Sequence, residues 1–76
     1  MKKQVNLPAS EKSNFQLWAE EINREWFGYT ATFDDESTIV WEDEKEVGRI
    51  DYDNGRYTVT SADEDVREQL EYYTNR

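Results

Sequence analysis

The chain has 76 residues, 18 Asp and Glu against 9 Lys and Arg, and a formal net charge of −9, with no Cys and no His. Disulfide staples and the usual soft zinc sites are therefore excluded, and the common general base and the thiol nucleophile are missing. A field of that sign repels nucleic acid and anionic lipid, so direct binding to either, or to a membrane, is not expected, and the natural complement is a cationic partner.

The length predicts a single small domain, 1–76, near the lower limit for an unaided apolar core. That core must rest on 3 Trp, 5 Tyr and 3 Phe together with Val, Ile and Leu, because each aromatic buries a large area. No run of about 20 apolar residues is present to cross a bilayer. The opening MKKQVNLPASEKS places two lysines before no apolar stretch and does not read as a signal peptide. A cytoplasmic location is the expectation.

Residues 1–12, polar and mildly basic and interrupted by Pro8, read as a loose N-terminal arm, with Val5 and Leu7 available to lie against the domain. A helix follows. Ser13-Asn14-Phe15-Gln16 fits a capping box, in which the Ser13 hydroxyl accepts from the Gln16 amide and the Gln16 side chain reaches back. Phe15, Trp18, Ala19, Ile22 and Trp26 recur at offsets of three and four, an apolar stripe. Gly28 supplies a left-handed position to end the helix.

Tyr29–Thr60 reads as four strands. Asp53-Asn54-Gly55-Arg56 centres Asn-Gly, the pair best suited to a two-residue type I′ turn. It sets Tyr52 opposite Tyr57 and Ile50 opposite Val59 on one face, with Arg49, Asp51, Arg56, Thr58 and Thr60 on the other. One hairpin earlier, a turn at Glu44-Lys45 is expected to oppose Trp41 to Gly48 and Ile39 to Ile50, the indole covering the glycine. The first hairpin is expected to turn at Asp35-Glu36-Ser37 and to bring Phe33 against Ile39 on the core side. Ser61-Ala62-Asp63-Glu64 is a second capping box, and Val66, Leu70 and Tyr73 are the inward stripe of a short last helix. The predicted fold is α+β: α-β-β-β-β-α, a four-stranded antiparallel meander with both helices on one face.

Little here points to catalysis. Paired carboxylates would need a concave cleft, for which the chain is short. Asp51-Tyr52-Asp53-Asn54-Gly55 echoes a calcium loop but lacks the third acidic position and the bidentate Glu, and the hairpin reading accounts for each of its residues. No metal and no cofactor are expected. Phe27 and Tyr72 lie off the main stripes, as part of either a contact patch or a widened core.

The carboxylates are what the fold does not explain. Asp34, Asp35, Glu36, Glu42, Asp43, Glu44, Glu46, Asp51 and Asp53 crowd the meander, although like charges across a sheet are destabilising. Strand geometry repeats side chains at about 6.6 Å along a strand and about 4.8 Å between strands. An acidic sheet face with acidic turns would then present charges at spacings comparable to a nucleic-acid backbone, which carries one per about 1.7 Å of duplex axis.

The segment YTATFDDESTIVW, Tyr29 to Trp41, resembles the strand, acidic turn and strand of small phage-encoded anti-CRISPR proteins that act on type I surveillance complexes. The resemblance implies a DNA mimic, with Asp34, Asp35 and Glu36 occupying the lysine-rich site at which the complex's large subunit recognises its target duplex. It also implies a bacterial host cytoplasm. The expected function is thus non-enzymatic inhibition of a basic DNA-binding protein or complex subunit. The same charge logic fits an antitoxin- or immunity-type inhibitor of one basic nuclease or toxin, or a plain acidic interaction domain. Oligomeric state is not readable.

Overall fold

The computed structural model describes residues 13–75, so the expectations for the N-terminal arm lie outside the described residues. The elements run α1 (Asn14–Glu25), β1 (Thr30–Phe33), β2 (Ser37–Glu42), β3 (Lys45–Asp53), β4 (Arg56–Thr60) and α2 (Glu64–Asn75). The strands form one antiparallel sheet in the order β1-β2-β3-β4. The predicted α+β meander with its flanking helices is the fold of the protein.

Both helices lie on one face of the sheet. Phe15, Trp18, Ala19 and Ile22 of α1 meet Val66, Leu70 and Tyr73 of α2 over Ala31, Val40 and Ile50. These are the stripes expected from periodicity. Ile22, Val40, Ile50 and Leu70 are completely buried, and a fully buried aliphatic side chain contributes about 1.5–3 kcal/mol. Thr38 is also fully buried; its hydroxyl donates to the Phe15 carbonyl at 2.9 Å, so no polar atom is left unsatisfied there.

The Asn54-Gly55 hairpin has the predicted register, Tyr52 opposite Tyr57 and Ile50 opposite Val59, with φ of 51° and 80° at the two turn residues. The other two hairpins differ from expectation. The middle turn is Asp43-Glu44, both with positive φ, and it pairs Glu42 with Lys45 and Trp41 with Glu46. A bulge then intervenes, so that Val40 faces Gly48, Ile39 faces Arg49 and Thr38 faces Ile50. In the first hairpin Phe33 faces Thr38 and Thr32 faces Ile39. Ile39 and Trp41 therefore lie on the open side and not in the core, because a one-residue slip exchanges every side chain between faces. Thr38-Ile39-Val40-Trp41 is apolar enough at both phases that alternation could not choose between them. Gly48 is covered by α2 and not by an indole: a Cβ there would stand 2.7 Å from Val66 Cγ1 and 3.1 Å from Leu70 Cδ1.

The helix ends also differ in detail. Ser13 Oγ accepts from the Gln16 N–H as expected, but the Gln16 side chain donates forward to Glu20. Helix α1 closes at Glu25 with Trp26 as its extended cap; Gly28, at φ 87°, turns the chain toward β1 instead of capping the helix. At α2 the cap is Asp63, whose carboxylate accepts from the Asp65 and Val66 amides. Ser61 is taken up earlier, donating to the Val47 carbonyl at 2.6 Å and accepting from the Asp63 N–H. An aspartate one residue before the helix reaches its orphan amides directly, so the box shifts by two positions.

Candidate functional site

The meander sorts the nine predicted carboxylates by strand direction. The β1–β2 turn and the β3–β4 turn fall at one end of the sheet, and the β2–β3 turn at the other. Asp34, Asp35, Glu36 and Asp53 therefore share the first end, with Asp51 just inside it. Glu42, Asp43, Glu44 and Glu46 share the second. The six residues of β2 separate the ends by roughly 20 Å at the usual strand rise.

The open face of the sheet is not the acidic surface that was expected. Register places Thr32, Ile39, Arg49 and Thr60 in one row across it, flanked by Thr30, Trp41 and Glu46 and by Ser37, Asp51 and Thr58. The Trp41 indole N–H donates to the Thr32 hydroxyl on that side at 3.0 Å. Glu46 and Asp51 are the carboxylates of the face, and both pair with Arg49, at 3.6 Å and 3.1 Å. Half-exposed pairs of this kind contribute only about 0–1 kcal/mol, but Arg49 offsets one of the two negative charges. The face is close to neutral, mixing threonine with two large apolar side chains.

At the first end the acids have unequal roles. Asp34 is a turn former: its carboxylate accepts from the Glu36 N–H at 2.8 Å and from the Ser37 hydroxyl at 3.1 Å. Those bonds, the backbone one foremost, hold its pKa below the ordinary carboxylate value of 3.8. Asp35, Glu36 and Asp53 are exposed and form no ion pair among the described residues. An open hollow of about 420 Å³ lies beside Asp34, Asp35, Glu36, Arg49, Asp51 and Tyr52.

The second end is the more strongly charged. Glu42, Asp43 and Glu44 are exposed and make no ion pair among the described residues, with Lys45 the local cation. The fold adds the acids of the α2 cap and first turn. The chain leaves β4 at this end and enters α2 through Asp63, Glu64 and Asp65. Tyr29 registers their arrival: burial first, and then the carboxylates of Glu42, Asp63 and Asp65, raise its phenol above the ordinary value of 10.0. A groove of about 520 Å³ runs between Glu42, Lys45 and Glu46 on one side and Thr60, Ser61 and Asp63 on the other. No periodicity signal could have joined residues 42–46 to 63–65, because their proximity follows from the strand count.

Of the two unexplained aromatics, Phe27 is 100% exposed and Tyr72 62% exposed, so neither widens the core. Among the described residues no group of three or more His, Cys, Asp and Glu side chains is arranged to hold a metal ion, and no helix is long and apolar enough to cross a membrane. No family model matches the chain, nor does any curated protein or solved structure.

Proposed function

We propose that this protein is a non-catalytic inhibitor that occupies the Lys/Arg-rich, nucleic-acid-binding groove of another protein, with its acidic sheet ends standing in for phosphates. The observation that carries this reading is the set of exposed carboxylates Asp35, Glu36, Glu42, Asp43, Glu44 and Asp53, which form no ion pairs among the described residues and gather at the two ends of a sheet whose open face carries little net charge. Charge left unpaired and concentrated adds nothing to folding, but it steers and holds a basic surface. The Asp43–Glu44 end leads the contact, because Asp63, Glu64 and Asp65 reinforce it. The resemblance of Tyr29–Trp41 to anti-CRISPR proteins makes the DNA-binding subunit of a type I surveillance complex the first target to try.

The test is competition between the purified protein and duplex DNA for such a complex. Inhibition is expected to weaken steeply with salt as screening shortens the reach of exposed charges. The double substitution E42K/E44K is expected to weaken it more than D35K/E36K. Glu44 already holds a positive φ, so lysine there adds little strain. Inhibition left intact by both double variants would reject the phosphate-like role.

A second reading, inhibition of one basic nuclease or toxin, draws on the heavier charge of the Asp43–Glu44 end, which suits a compact cleft more than a long duplex channel. Affinity capture from host cells separates the two, recovering either a multi-subunit complex or a single small enzyme.

A further inference from the structure

At the junction of α1 and β1, beside the strongly acidic end of the sheet, a hollow of about 280 Å³ is lined by Trp26, Phe27, Tyr29, Asp65, Val66 and Gln69. One of its walls is anchored. The Trp26 indole N–H donates to the Tyr73 hydroxyl at 2.9 Å, and the Trp26 and Tyr29 rings stand at 85° with centroids 5.5 Å apart. Phe27 follows this anchored tryptophan and precedes Gly28, and its side chain is wholly in solvent. With the half-buried Trp26 and Tyr29 it makes a contiguous aromatic patch, which makes the corner a candidate contact surface.

The charge around the corner selects what can enter it. Asp65 lines the hollow, and Glu42 and Asp63 are close enough to act on the Tyr29 phenol. Anions are repelled, and a purely apolar group would have no use for the carboxylates. A cation satisfies both features, since aromatic faces are electronegative and attract one. Guanidinium suits the site better than ammonium, because it is planar, stacks on rings and pairs with a carboxylate through two N–H groups. The volume admits one side chain.

We propose that this corner receives an arginine side chain of the partner protein, its guanidinium against the aromatic rings and beside the Asp65 carboxylate. The proposal takes from the acidic-end reading only that the cation belongs to a basic protein surface.

Titration of the nitrogen-labelled protein with N-acetyl-arginine methylamide, followed by NMR, tests it against the neutral isostere N-acetyl-citrulline methylamide. The arginine compound is expected to move the Trp26 indole, Phe27 and Gln69 signals together and to saturate in the millimolar range, with citrulline clearly weaker. F27A, which removes no buried contact, and D65N are each expected to weaken arginine binding by about two- to fivefold, the range for an exposed cation–π contact. Equal binding of citrulline, or arginine binding unchanged by F27A, would overturn the proposal. Failure of the acidic-end reading has a different signature: an arginine-rich peptide would bind D43K/E44K, which leaves Glu42 and the corner unaltered, as tightly as the unaltered protein, while the corner still responded to the arginine compound.

Discussion

The side-chain amide of Asn23 closes on both backbone groups of Ala31, donating to its carbonyl at 3.0 Å and accepting from its N–H at 2.8 Å. Ala31 lies in β1, an edge strand of the sheet, and those two groups point away from β2. Asn23 thus gives the edge the partner that a further strand would otherwise supply, and it ties α1 to the sheet where pairing with another chain would begin. Replacing it with alanine leaves a half-buried donor and acceptor to water. N23A is expected to lower the unfolding free energy by about 1–3 kcal/mol and to speed exchange of the Ala31 amide, measured by urea denaturation and hydrogen exchange. Unchanged exchange at Ala31 would mean that the amide pair does not hold the edge.

Gly48 sets how closely α2 approaches the sheet. With a Cβ 2.7 Å from Val66 Cγ1, G48A must push the helix or its side chains aside, at about 1–3 kcal/mol for overpacking. The double variant G48A/V66A frees that space, so its loss of stability should be smaller than the sum of the single losses. Additive losses in a double-mutant cycle would show that the two residues do not compete for one volume.

Asp34 predicts an acid limb in stability. Its folded pKa lies below the ordinary 3.8 because the Glu36 N–H and then the Ser37 hydroxyl hold the ionised form. The stabilisation is present above the unfolded value and is lost as pH falls through the folded one. D34N keeps an oxygen acceptor for the turn but has no proton to gain, so its stability should fall less steeply below pH 3.8. Denaturant midpoints measured across that range compare the two proteins.

Tyr29 predicts the alkaline counterpart. Burial, then Glu42, Asp63 and Asp65, disfavour its phenolate in the folded protein. The Tyr29 contribution should be constant below the ordinary value of 10.0 and decline as pH rises from there toward the folded pKa, since the unfolded chain ionises first. Y29F should remove that decline. The difference in phenolate absorbance between the unaltered protein and Y29F should isolate the Tyr29 step above the ordinary value, and E42Q should bring its pKa back toward that value.

The helices and the last hairpin were legible from the sequence because their signals are local. Phe15, Trp18, Ala19 and Ile22 share one helical face whatever surrounds them, as do Val66, Leu70 and Tyr73. Asn54-Gly55 admits one tight turn, and that turn sets the register of β3 and β4. The strand count and the antiparallel order follow from such turns, and so does the acidity of each one.

Tertiary structure decided which side of β2 is buried and where the carboxylates meet. Thr38-Ile39-Val40-Trp41 fits the core in either phase, and the choice was made by an Asp43-Glu44 turn and a bulge beside it, whose register pays off only once α2 packs on Gly48. That choice turned Trp41 outward and left Arg49 between Glu46 and Asp51, so the face lost the charge that counting residues had assigned to it. It also took the folded chain to bring residues 63–65 beside Glu42 and Tyr29. Charge is written into composition, but a charged surface is a matter of distance, and distance between residues far apart in sequence exists only after folding.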